Sequence, residues 1–332
     1  MTFPIGLYLA VSLMPCTGKW ISAARRLPIR ALARAGFGVY PSRDLRGVAI
    51  TVPEVLDRYA QRPCIVECPI SHCLWFGPTG LAYGKESSHP YVQSLLQQLR
   101  GECRYYQETC LAHYWRSWTP ATLAESLGID AESAHPWLND SPPLSDFMPW
   151  GGMPQFEALK LSVQASEQGR LADGEMPAVS EIAVRQVGPK PDWFGELRIQ
   201  HLVSLHAQIA SEGYRQRASS SLSYKHQHVV VDSMVRGGEV RFLVANGQHR
   251  ASVLSAMGHE SVPVLLNVSH KRGPSVIRRG DAANWPLVRM GIISLSDALD
   301  VFDRVFEGRQ PRGFPALKRA GDPWPCCTCQ GE

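Results

Sequence analysis

The sequence predicts a mixed α/β chain of the α+β kind, and its second half carries the expectation. Apolar strand-like runs at 181–187, 228–235, 239–245 and 261–268 surround an amphipathic helix over 195–213. A Gly-Gly pair stands where two of those runs must turn back on each other. The predicted order is strand, helix, hairpin, helix, strand. Composition agrees with a globular chain: of 332 residues, 44% are hydrophobic and 19% charged, which excludes disorder, collagen and coiled coil.

Thirty-four basic against thirty acidic residues leave a net charge of +4, too little to coat a polyanion, so a nucleic-acid role would have to rest on local residues. The stretch FPIGLYLAVSLM at 3–14 is shorter than the roughly 20 residues a membrane-spanning helix needs. No Lys or Arg precedes it, as one would in a secretory leader, and the chain reads as cytoplasmic with no membrane partner. Nine cysteines, an odd number in a long chain, read as reduced thiols.

In the first half, RPCIVECPI at 62–70 predicts a buried strand that turns Cys64 and Cys68 to one face. Cys64, Cys68, His72 and Cys73 do not have a common zinc spacing, and small core residues are the simpler reading. Residues 88–127 predict helix, starting at Ser88 or His89 and ending at Gly128. Within it, YYQETCLAHYWRSW at 105–118 puts Tyr106, Cys110 and Tyr114 on one stripe and Leu111, Trp115 and Trp118 beside it, a pattern for a buried interface. The Pro- and Gly-containing stretch 129–153 is the best linker. Four parts follow: a mixed α/β region at 1–140, a linker and leading segment at 141–175, a C-terminal module at 176–310, and a disordered Cys-containing tail at 311–332.

In the second half, EIAVRQV at 181–187 alternates as a strand, and the 195–213 helix stripes Ile199, Leu202, Leu205 and Ile209 before stopping at Gly213. HVVVDSMV and EVRFLVA flank Arg236-Gly237-Gly238 as a hairpin. ANGQHR at 245–250 then leads from strand into helix. A glycine there lets the chain turn sharply, and the first N–H groups of the helix point unpaired at whatever lies ahead, for which phosphate is a natural occupant. His249 and Arg250 lie at the positive end of that helix, where cations are disfavoured unless an anion intervenes. The alternative is that Arg250 pairs with a carboxylate and His249 is a satisfied, half-buried imidazole. Replacing Gly247 is expected to abolish ligand binding while folding largely survives.

The segment NGQHRASVLSAMGHESVPVLL at 246–266 resembles the signature of the ParB/sulfiredoxin superfamily: glycine, two intervening positions and arginine, an eleven-residue step to the next glycine, then Val-Pro-Val opening a strand. The resemblance covers about 178–270 and implies a ParB/sulfiredoxin-like module in the C-terminal half. It implies that Asn246, Gly247, Gln248, His249 and Arg250 hold a nucleoside di- or triphosphate (ATP, ADP or CTP), with Mg²⁺. Reductase members need a cysteine where this chain has Gln248. Partition proteins continue into a helix-turn-helix, whereas here SLSDALDVFDRVFEG at 294–308 is the one clear later helix, with Ser294 and Asp297 at its start and Arg304 as its lone basic residue. A kinase-like member would need a carboxylate base, for which Glu196 and Asp192 are the candidates; either also reads as a helix-start charge. A phosphotransferase and a nucleotide-gated, DNA-associated binding protein therefore both stand as expectations.

Two clusters complete the list. KHQH at 225–228 puts His226 and His228 on one strand face, a surface pair or a metal site. HKRGPSVIRRGD at 270–281 offers Lys271, Arg272, Arg278 and Arg279 as a basic loop for phosphates or for weak, sequence-indifferent contact with nucleic acid.

Overall fold

The apolar run predicted at 62–70 becomes a strand that pairs with a partner some two hundred residues away, and this pairing organises the chain. The computed structural model describes residues 43–59, 62–130, 135–139, 148–151, 187–214, 228–266, 274–317 and 319–321. In chain order its elements are β1 (Arg43–Asp44), α1 (Val52–Arg58), β2 (Cys64–Pro69), β3 (Cys73–Trp75), α2 (Pro90–Arg100), α3 (Cys110–Ser117), α4 (Leu123–Leu127), α5 (Asp192–Glu212), β4 (Val229–Arg236), β5 (Glu239–Asn246), α6 (Gln248–Ala256), β6 (Ser261–Leu266), β7 (Val276–Arg278), α7 (Pro286–Arg289) and α8 (Leu295–Phe306).

The seven strands form one mixed sheet in the order β1-β2-β6-β4-β5-β3, with β7 also on β4. β4 and β5 form the predicted antiparallel hairpin, turning at Gly237 with φ +61°. β2 runs antiparallel to β6 along its whole length, from Cys64 opposite Leu266 to Pro69 opposite Ser261, and β3 runs parallel to β5. Strands from before and after the expected 141–175 linker therefore share one sheet and one core, so the described residues of the expected 1–140 and 176–310 parts are not separate layers.

Alternation along the strands divides the core between the sheet's two faces. Val231, Phe242, Val244, Cys73 and Trp75 face a core shared with α2, α3, α5 and α6. Met234, Leu243 and Leu74 face the opposite one, shared with α4, α7 and α8. Cys64 and Cys68 are buried on the first face as expected, and the Cys68 and Cys73 sulfurs lie 3.5 Å apart.

The expected helix over 88–127 is instead three. Gly101, with φ +68°, ends α2 in a left-handed cap where Glu102 N–H reaches the Gln97 carbonyl. Thr109 then caps α3, accepting from Ala112 N–H at 3.2 Å, and Thr122 caps α4 in the same way. Gly128 ends α4, where the sequence placed the stop. The aromatic stripe is interior: Tyr106, Tyr114, Trp115 and Trp118 are buried.

α8 starts at Ser294, whose hydroxyl accepts from Asp297 N–H at 3.1 Å. Its lone basic residue, Arg304, is buried and donates to the carbonyls of Pro78 (2.8 Å) and Leu127 (2.6 Å), tying α8 to two first-half loops. The first residues of the expected disordered tail are placed. The Phe314 ring packs 5.0 Å from that of Trp118, and Ala320 N–H donates to Gln93 Oε1 at 2.7 Å, because an aromatic side chain here finds the first core. Among the described residues, no helix is long and apolar enough to cross a membrane. The strand 181–186, the apolar stretch 3–14 and the cysteines of CCTC at 326–329 lie outside the described residues.

Candidate functional site

β5 ends at Asn246, the chain turns at Gly247 with φ +83° and ψ 23°, and α6 begins at Gln248. The first intrahelical bond runs from Ala251 N–H to the Gly247 carbonyl at 3.0 Å, which leaves the N–H groups of Gln248, His249 and Arg250 without acceptors inside the helix. Two constraints demand glycine here. Its φ is left-handed, and an added Cβ would stand 2.9 Å from the His228 carbonyl oxygen and 3.1 Å from Val229 Cα. The crowding neighbour is the start of β4.

Arg250 does not pair with a carboxylate of the described residues. Its Nη1 donates to the His228 carbonyl at 2.9 Å, bracing α6 against β4, and partial burial lowers its pKa. His249 lies between two other helices. Its ring centroid is 5.2 Å from that of Tyr91 on α2 and 4.8 Å from that of His201 on α5, the latter nearly edge-on at 79°. Its Nε2 is buried with no hydrogen-bond partner. Burial, then the charges of Arg198, His201 and Arg250, push His249 down to about 3. Arg250 is held within the fold by the His228 carbonyl and the Tyr214 hydroxyl, whereas His249 Nε2 has no partner.

The structure adds two residues that the sequence reading missed, Arg198 and His201. They are three apart on α5, about 60° around the helix, so both lie on the side that meets α6. His201 is exposed, and its pKa is lowered by desolvation, then by Arg198 and Arg250. Arg198 lies 4.6 Å over the Phe194 ring. The legible signal was R-x-x-H at 198–201, offset from the Ile199–Leu202 stripe. His228, fully buried with both ring nitrogens unpartnered, is the interior member of the group; desolvation, then Arg250 and Arg46, lower its pKa, while Asp44 opposes them. Among the described residues, the charges acting on His249 and His201 include no carboxylate.

Other predicted members fall elsewhere. Asn246 is exposed at the end of β5, and Gln248 is half-buried, its carbonyl accepting from Ser252 Oγ at 2.9 Å. Asp192 and Glu196 lie on α5 but turn away from the cluster: Asp192 is about 180° around the helix from His201, and Glu196 about 160° from Arg198. Asp192 accepts from Gln107 Nε2 at 2.9 Å and pairs with Arg116 at 3.7 Å, as a helix-start charge does. Near them Gly195 lets α5 approach Tyr106, whose ring a Cβ would strike at 2.0 Å.

Lys271, Arg272 and His226 lie outside the described residues. Arg278 donates to Asp57 at 2.9 Å, and Arg279 grips Asp303 with two nitrogens at 2.8 Å each. Arg278 is opposite Val235, whereas Asn246 is opposite Val230, so this pair of arginines sits roughly 17 Å along β4 from the Gly247 turn. They do not feed the cluster. No group of three or more His, Cys, Asp or Glu positioned for a metal occurs among the described residues. The cationic cluster also offers none of the carboxylate oxygens that Mg²⁺ prefers. A cleft of about 360 Å³ opens elsewhere, beside Ile129, Leu138 and Ile293. Its polar side chains are engaged locally: His135 Nδ1 accepts from Trp137 N–H at 3.2 Å, and Ser294 and Asp297 cap α8.

No family model, curated protein or solved structure matches the chain.

Proposed function

We propose that the chain is a nucleotide-binding protein that holds the phosphates of a nucleoside di- or triphosphate at the Gly247 turn. The observation that carries this reading is the set of Arg198, His201, His249 and Arg250, gathered from two helices at the start of α6 with no carboxylate of the described residues among the charges acting on its imidazoles. Such a group is electrostatically unsatisfied until an anion enters, and the α6 N–H groups add donors. The same reasoning supports the ParB/sulfiredoxin-like character suggested by the glycine-to-arginine segment.

Binding without phosphoryl transfer is the better-supported form. The cluster would supply positioning and charge neutralisation, but among the described residues the candidate carboxylates for transfer to an acceptor, Asp192 and Glu196, face the other side of α5. The test is calorimetry and thermal shift with ATP, ADP, CTP and GTP, with and without Mg²⁺. Saturable binding of at least one nucleotide, weakened by Arg198→Gln, supports the reading. No binding to any of them removes it.

A further inference from the structure

We propose that ligand binding at the Gly247 turn is proton-coupled: the ligand is a multiply charged phosphate ester, and His201 and His249 take up protons as it enters, so that neutral imidazoles become donors to its oxygens. This rests on the phosphate-binding reading and adds the ligand's charge class and its regulation by pH.

The geometry is a pair of imidazoles from different helices, with centroids 4.8 Å apart, flanked by guanidiniums from the same two helices. The groups facing them are Arg198 from α5, Tyr91 from α2, Arg250 from α6 itself and, beyond Arg250, Tyr214 after α5 and His228 just ahead of β4. Without an anion, a proton on either ring meets two arginines and no carboxylate of the described residues, which disfavours the charged form of each imidazole. A phosphate group among them reverses that balance, because an opposite charge within about 4–6 Å favours the charged form. The buried, unpartnered Nε2 of His249 then has reason to carry a hydrogen. A singly charged carboxylate offsets two arginines only in part, so the cluster favours di- and triphosphates.

The experiment is calorimetry of the full chain with ATP at pH 6.0 and pH 8.0, each in two buffers of different ionisation heat. At pH 6.0 the wild type should take up protons, with affinity rising as pH falls by up to about tenfold per pH unit for each proton. His201→Asn and His249→Asn should each weaken binding and lose part of that uptake, so that the gain in affinity between pH 8.0 and pH 6.0 is smaller than in the wild type. The nucleotide's own proton is common to all three proteins, so the difference counts the histidines. If His249→Asn fails to fold, the exposed His201 carries the comparison. Binding with the same proton count in wild type and variants overturns the coupling and leaves the phosphate site standing. No binding of ATP at either pH overturns both.

Discussion

The carbonyl oxygen of His228 receives the Arg250 guanidinium at 2.9 Å and stands 2.9 Å from where a side chain on Gly247 would begin. One backbone atom just ahead of β4 thus fixes both the first residue of the turn and its arginine. The sequence suggested that a Cβ at 247 would displace ligand while sparing the fold. The space it would fill belongs to the protein, so Gly247→Ala should cost stability on the order of 1–3 kcal/mol, through left-handed strain and displacement of β4. Urea denaturation of wild type and variant, followed by circular dichroism, measures this.

Arg304 should be the most sensitive position on α8. It is buried and satisfies two carbonyls from loops near Pro78 and Leu127, and burial draws its pKa down to about 10. Arg304→Met should destabilise the chain by about 2–4 kcal/mol, because two buried acceptors lose a charged donor. The expected readout is a lower urea midpoint with an unchanged slope.

Much of this fold is legible where its signals are local. The β4–β5 hairpin follows from Gly237-Gly238, α8 from Ser294 and Asp297, and the turn into α6 from Gly247, since each is decided within a few residues. The β2–β6 and β3–β5 pairings leave no trace in periodicity, because any apolar strand can pair with any other of suitable length. They bring strands from both sides of the expected 141–175 stretch into one sheet, which periodicity did not indicate. The continuous helix over 88–127 failed because the apolar stripe persists through Gly101 and Thr109, whose backbone preferences won. At the site, Gly247, His249 and Arg250 were readable from the strand-to-helix turn. Arg198 and His201 were not, because their relevance depends on how α5 packs against α6.

Stability should fall with acid below the ordinary histidine range. His89 is fully buried among Trp75 and Tyr83 with both ring nitrogens unpartnered, and burial pushes it down to about 3. With the folded pKa depressed, the unfolded chain binds the extra proton from about pH 6.5 downward. This histidine therefore removes up to about 1.4 kcal/mol per pH unit between that point and its folded value. His89→Leu should stay within about 1 kcal/mol of wild type at pH 7.5 and show a shallower loss at pH 4.5. Denaturation midpoints across that range give the answer.

Arg278 and Arg279 should contribute nothing to ligand or nucleic-acid binding, because Asp57 and Asp303 already hold them. Alanine at both positions should leave any DNA affinity, and its salt slope, unchanged. The effect should appear in acid stability instead. Asp303 is lowered first by Arg279 and then by Arg236, so its contribution is full above the ordinary carboxylate range and is lost as pH falls through the depressed value. Fluorescence-anisotropy titrations with duplex DNA at two salt concentrations, beside acid denaturation, separate the two effects.

The central claim is that Arg198, His201, His249 and Arg250 form an anion site for nucleotide phosphates, and Arg198 tests it most cleanly because no described hydrogen bond holds it to the fold. Calorimetric titration of ATP into wild type and Arg198→Gln should show saturable binding that weakens by roughly ten- to hundredfold in the variant, the loss of about 1.5–3 kcal/mol typical of a hydrogen bond to a charged group, with melting temperature preserved. Equal affinity in the two proteins, or no heat with wild type for ATP or any other nucleotide, would contradict it.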